Sequence, residues 1–348
     1  MDTSTGCAPE PRARRALEEA DRLFAAGRRR EAVEVLMASN ARRPAPQLEE
    51  RLVELRHAAA TAAAPTEPPS GAWPVPEPDR FDGPGLPEVA VDDLAVDVLR
   101  AAMVHRGGLL VRGLLDEPTA RRLLDDVRRS FDAAAAWVAG AVPADTTPWY
   151  VPFAADDGYS FGELERGFTQ SLGGVLAVES PRSLFDVVRA LTAAGVGDLL
   201  EAHFGEWPAI SAKKSTLRRA TPTSPTEWHQ DGAFLGSGTR SINVWTALTP
   251  CGVDAPGIDV FPRGFDHIVA TGTDSARFSW SVSAEQAERL GVETVERPVF
   301  EAGDALIFDQ MALHRTGVGP GMSQDRYALE TWFFAPSTYP QEQVPILF

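Results

Sequence analysis

Lysine is nearly missing from this 348-residue chain: two of its 33 basic residues are lysine, Lys213 and Lys214, and the rest are arginine. Against 49 acidic residues the formal net charge is −16. A chain this acidic exerts no global attraction on a phosphate backbone, so nucleic acid is excluded as an expected partner. With so much Ala, Gly and Pro, the arginine preference reads as the codon bias of a GC-rich genome. Cysteine is equally scarce. Cys7 and Cys251 cannot build a disulfide framework, and Cys7 sits in a polar leader expected to be unstructured. Long apolar runs are absent too. The most apolar stretch, residues 133–144, falls short of the roughly 20 residues that span a bilayer. The N-terminus lacks the apolar core of a secretory signal. A soluble, reducing, cytoplasmic setting is expected, with no membrane partner.

What is present divides into three parts. In residues 1–60, Leu17, Ala20, Leu23 and Phe24 recur at helical spacing, as do Ala32, Val33, Leu36 and Met37, and then Leu48, Leu52 and Leu55. The spacing of Ala20, Gly27, Ala32 and Pro44 resembles one tetratricopeptide repeat, and about three are needed for independent stability. The segment is therefore expected to be a helical hairpin docked on the main domain or on a second copy of the chain, ahead of a dedicated protein-binding module. Residues 61–88 hold eight prolines and read as a semi-extended linker.

Residues 89–348 form the main domain. Val91–Val104 and Ser183–Phe204 are expected helices. GLLVRGLL from Gly108 is a buried strand, and Asp116 with Pro118 opens another helix. From Ile210 the texture changes to short strands, as in SINVWTALT from Ser241, DALIFD from Asp304 and YALETWFF from Tyr327. A capping box of Ser283 and Gln286 starts a helix at Ser283–Leu290. The pattern is α+β with a mainly β core, its sheet closed or sandwiched. Residues 145–168, aromatic and punctuated by Gly and Pro, are either a lid or a surface loop.

The chemistry is carried by EWHQDG, Glu227–Gly232. Positions i and i+2 of an extended segment share a face, so His229 and Asp231 converge. LHRTG supplies His314 as the third ligand. Two histidines and one carboxylate leave open positions on a metal, the arrangement suited to non-haem Fe(II) that binds a cosubstrate and O₂. His57, His105, His203 and His267 read instead as satisfied surface residues.

WHQDG, INVWTALT, GIDVFPRGF, EAGDALIFD, LHRTG and DRYALETWFFA follow one another in the order of the phytanoyl-CoA dioxygenase-like Fe(II)/2-oxoglutarate oxygenases, which this chain resembles over roughly residues 90–340. The resemblance implies a double-stranded β-helix (jelly-roll, cupin-like) core with flanking helices. It implies His229, Asp231 and His314 as iron ligands and catalytic residues, and Arg326 as the group that pairs with the distal carboxylate of 2-oxoglutarate. Thr316, on the face of His314, adds a hydroxyl to that carboxylate, and Trp245 walls the cosubstrate. Arg315 faces the other way. The implied activity is a dioxygenase that hydroxylates a small or medium organic substrate, in specialised metabolism, and releases succinate and CO₂. Asp231 argues against halogenation, in which a small residue frees the metal for chloride. The family's Lys-and-Pro pattern ahead of HxD is met only loosely by KKSTLRRATP, which leaves open which of Thr216, Leu217 or Arg219 touches the cosubstrate. Lys213, Lys214, Arg218 and Arg219 either receive an anionic substrate tail or form a solvated strand edge. Two other readings are an interaction protein acting through its N-terminal helices and a non-redox cupin-like metal protein.

Overall fold

The helical spacing near the N-terminus folds as α1 (Pro11–Ala25), α2 (Arg29–Arg42) and α3 (Pro46–Thr61), in a computed structural model that describes residues 10–62 and 67–348. Cys7 lies outside the described residues; Cys251 is buried and free. Leu23, Val33, Leu36, Leu48, Leu52 and Leu55 close a small core, which Phe185 from a later helix completes. The back of α3 is tied to the other end of the chain. Arg56 donates to the Leu347 carbonyl at 2.6 Å and His57 Nδ1 to the Pro345 carbonyl at 2.8 Å, while His57 Nε2 accepts the Asp156 amide at 2.9 Å. A tetratricopeptide-like hairpin is not confirmed: a third helix seats the segment on the rest of the molecule.

Then follow β1 (Glu88–Ala90), α4 (Val96–Arg106), β2 (Leu109–Arg112), α5 (Glu117–Val138), α6 (Pro143–Thr146), α7 (Glu163–Ser171), β3 (Gly174–Leu176), α8 (Pro181–Ala193) and α9 (Val196–Phe204). Asp116 caps α5 by accepting the Thr119 amide at 2.8 Å. Two expected helices are interrupted. Residues 91–104 begin as a single 3₁₀ turn, and Ala95 is extended before α4 starts. Residues 183–204 break at Gly195, whose left-handed φ of +75° separates α8 from α9. Two histidines expected at the surface are buried instead. His57 is fully bonded at both ring nitrogens, and burial pushes His203 down to about 3. Among the described residues no helix is long and apolar enough to cross a membrane.

The remainder is mostly strand: β4 (Ala209–Ser211), β5 (Thr216–Ala220), β6 (Trp228–His229), α10 (Gly232–Leu235), β7 (Ser241–Ala247), β8 (Gly257–Val260), β9 (Ser281–Val282), α11 (Ala284–Arg289), β10 (Ala305–Asp309), β11 (His314–Gly317), β12 (Arg326–Phe334) and β13 (Pro345–Leu347). Ser283 caps α11 by accepting the Gln286 amide at 3.1 Å, but the expected capping box is only half formed: the Gln286 side chain accepts from Arg289 at 2.9 Å instead. The larger sheet runs β1-β2-β10-β7-β12-β4-β13, with β5 also on β12 and β3 on β5; the smaller runs β8-β11-β6-β9. From β5 the chain passes back and forth between the sheets, which is the winding of a double-stranded β-helix.

Alternation along β7 shows how two cores share one strand. Ile242 and Val244 face the helices beside Leu123, Leu184 and Leu200, while Trp245 and Ala247 face the barrel interior with Ile258, Phe308, Ala328 and Trp332. Gly303, in the expected turn before β10, has φ +98°, and a Cβ there would meet the Leu115 carbonyl oxygen at 2.1 Å.

Candidate metal centre

Five consecutive residues build the site by pointing in different directions. Trp228 packs outward against Phe261, Val282 and Leu313. His229 turns inward. Gln230 is fully buried and staples the turn, donating to the Met311 carbonyl at 2.7 Å and accepting the Val269 amide at 2.7 Å. Asp231 then departs from the expected extended geometry. Its φ and ψ of −62° and −26° are helical, and it heads α10. The turn, rather than strand alternation, brings its carboxylate to the histidines. Gly232 follows with its amide on the Gln310 carbonyl at 2.8 Å; a Cβ there would lie 3.1 Å from that oxygen.

His314 arrives from the facing strand. It is the cross-strand partner of His229, and the two rings are 4.4 Å apart. Asp231 Oδ2 lies 3.7 Å from His314 Nε2, and one ligand atom from each of the three residues fits within 4.8 Å. His229 Nδ1 donates to the Glu227 carbonyl at 2.9 Å and His314 Nδ1 to the Ala312 carbonyl at 3.0 Å. Each bond fixes the tautomer that leaves Nε2 unprotonated, as an imidazole needs in order to bind a metal. Burial, with His314 beside it, pushes His229 down to about 4. Burial alone would raise the Asp231 carboxyl, but Lys214, His314 and His229 hold it below the usual range. Two imidazoles and one carboxylate on one face form a donor set that fits a divalent transition metal with open positions.

Arg326 is 1% exposed, at the start of β12. Its Nη1 donates to the Gly257 carbonyl at 2.8 Å, its Nε has no partner, and no carboxylate of the described residues lies within ion-pairing reach. Burial pushes its guanidinium down to about 10. Trp245 lies beside it, ring centre 5.1 Å from the guanidinium carbon, with its buried indole N–H also unpartnered. A buried cation and a buried donor without acceptors fit an anion supplied from outside the chain. Thr316 is buried on the same strand as His314, two residues on, and its amide donates to Thr226 Oγ1 at 2.7 Å. Arg315 faces away, bonded to Asp259 at 3.0 Å and stacked over Trp228.

Of the four bases ahead of the HxD turn, Arg218 and Arg219 lie on β5, which is not an edge strand. β5 is paired on both sides, by β12 and β3, and each base already has a carboxylate. Lys213 pairs with Glu165 at 3.0 Å, Arg218 with Glu330 at 3.4 Å, Arg219 with Asp325 at 2.6 Å, and Lys214 with Asp231. Residues 145–168 are anchored to the helical layer at Tyr150 and Phe153, while Leu164 and Phe168 stay exposed. Tyr150 and the Phe153 amide both bond the buried Glu179 at 3.0 Å.

Sequence reasoning missed an aromatic group beside His229. Trp280 meets the His229 ring edge-on at 5.7 Å, stacks on Phe278 at 4.8 Å, and touches the half-exposed Phe234 at 5.8 Å. The signal was faint: two aromatics in the otherwise polar string SARFSWS. β9 pairs Ser281 with His229, which fixes Trp280 next to the site.

The family described as Phytanoyl-CoA dioxygenase (PhyH) matches residues 104–319. Arg326 falls beyond the matched span. No curated protein sequence matches. Among solved structures, EvdO2 from Micromonospora carbonacea var. aurantiaca, complexed with 2-oxoglutarate, is 15% identical over 70% of this chain and 89% of its own, with a TM-score of 0.44. The epimerase SnoN, in complex with Fe3+, alpha ketoglutarate and nogalamycin RO, is 16% identical over 69% of this chain and 83% of its own, with a TM-score of 0.45. EctD from S. alaskensis, with 2-oxoglutarate and 5-hydroxyectoine, is 16% identical over 68% of this chain and 75% of its own, with a TM-score of 0.43.

Proposed function

The chain belongs to the phytanoyl-CoA dioxygenase family, and from that premise we propose that it is an Fe(II)- and 2-oxoglutarate-dependent dioxygenase that hydroxylates a small or medium organic molecule. The observation that carries the reading is a pairing. His229, Asp231 and His314 converge on one point, and the same barrel holds Arg326, a buried cation with no carboxylate of its own. When bound, iron and 2-oxoglutarate supply oxidation of a substrate C–H bond by O₂, with release of succinate and CO₂.

The chain's own residues do the placing. His229 and His314 present Nε2 because their Nδ1–H groups are held by backbone carbonyls. Arg326 orients the cosubstrate by a two-point contact to its distal carboxylate, with the Trp245 ring and the Thr316 hydroxyl as walls. Trp280, Phe278 and Phe234 offer an apolar shelf beside His229 that seats the substrate and excludes water. Asp231 occupies the ligand position a halide would need, which supports hydroxylation over halogenation.

The test is anaerobic titration of purified protein with Fe(II), followed by succinate measurement after 2-oxoglutarate, ascorbate and candidate substrates are added in air. One iron per chain and iron-dependent succinate are expected. Iron binding unchanged by His314→Ala, or succinate formation without iron, would overturn the reading.

A further inference from the structure

The chain's rarest basic residue stands at its most sensitive carboxylate. Lys214 Nζ donates to Asp231 Oδ1, and this is the one hydrogen bond found to that side chain among the described residues. The other oxygen, Oδ2, is the one that lies 3.7 Å from His314 Nε2. Lys214 is held in place by two rings, Phe234 at 4.6 Å and Trp332 at 5.1 Å, and by its amide, which donates to Ser211 Oγ at 3.0 Å. Asp231 itself is buried, and although it heads α10 it makes no cap bond. Its carboxylate is thus divided between one cation and the open site.

We propose that Lys214 is a positioning residue that occupies one oxygen of Asp231, so that the carboxylate reaches the metal through the other oxygen alone and the positions needed by the cosubstrate stay open. The inference rests on the proposed iron site. It also explains why lysine stands here in a chain that uses arginine almost everywhere else. A guanidinium grips a carboxylate at both oxygens, which would take Asp231 away from the metal; an ammonium is a point donor that takes one. Without the cation, nothing stops Asp231 from binding through both oxygens and filling a position the cosubstrate requires.

Co(II) tests this without turnover, because its visible spectrum reports coordination number and its binding can be titrated. In the wild-type protein Co(II) binds, and added 2-oxoglutarate changes the spectrum. Lys214→Met is expected to bind Co(II) at least as tightly while its 2-oxoglutarate affinity falls by about 10–100-fold, the range for loss of an outer-shell partner. Lys214→Arg is expected to fail differently, losing Co(II) affinity by about the same factor. Wild-type affinities for both ligands in Lys214→Met, in a protein shown to be folded by circular dichroism, would overturn the inference. A wild-type protein whose Co(II) binding is indifferent to His229→Ala would overturn the site reading, and this inference with it.

Discussion

At the scale of single residues, the His229, Asp231 and His314 cluster was legible and its supporting contacts were not. His229, Asp231 and His314 announce themselves because ligand chemistry restricts which side chains can serve, and two of them fall in one short string. The route of Asp231 to the site was misread, since two residues of strand and a helical turn look alike in sequence. The Lys214–Asp231 contact depends on where a long side chain runs between two rings, which no spacing encodes. Arg326 was singled out by the family resemblance, and the structure adds that it is buried without a carboxylate. On the proposed pairing with the cosubstrate's distal carboxylate, removing it would leave that charge unpaired, at a cost of about 2–5 kcal/mol. Arg326→Ala should therefore raise the KM for 2-oxoglutarate by roughly thirty-fold to several thousand-fold, with iron content unchanged. Arg326→Lys should recover only part of the loss, because an ammonium lacks the planar fork. An unchanged KM in Arg326→Ala would transfer the role to another base of the barrel.

At the scale of elements, caps and periodicity were legible and breaks were not. Asp116 and Ser283 cap as read, because an N-cap is a local event decided within four residues. The break at Gly195 was missed because a glycine inside an apolar run can stay helical, and only packing decides. The pairing of β5 on both sides was missed because strand neighbours are non-local. The packing of α5 on α8 yields a pH prediction. Burial, and then the neighbouring Asp186, push the Asp126 carboxyl up to about 7. A carboxyl raised in the folded state favours folding while it is protonated. Its contribution is full below the ordinary value near 4 and is lost as pH rises through about 7. Asp126→Asn removes that dependence. Thermal melting from pH 4.5 to 8 should show the variant gaining on the wild type as pH rises, and parallel curves would contradict the assignment.

At the scale of the whole molecule, the run of short strands indicated a closed or sandwiched sheet and the family resemblance implied the β-helix, whereas the N-terminal helices could be placed only as docked on the main domain or on a second copy. Contacts between α3 and β13 join residues far apart in sequence, such as Arg56 with Leu347. β13 lies on β4, and β4 on β12, the strand that begins with Arg326. The N-terminal helices are therefore tied to the sheet that carries Arg326. Deletion of residues 1–61 should lower the melting temperature by several degrees or more and expose the apolar residues of α8, Phe185 among them. Unaltered melting would show that the helices are carried along without bracing anything.

The central claim is that His229, Asp231 and His314 hold a metal that couples 2-oxoglutarate to oxidation. The most direct measurement is succinate formed from 2-oxoglutarate by wild-type and Asp231→Ala proteins, each loaded with Fe(II) under the same conditions. The account predicts iron- and O₂-dependent succinate from the wild type and background from Asp231→Ala, with both proteins folded. Full succinate formation by Asp231→Ala would contradict it.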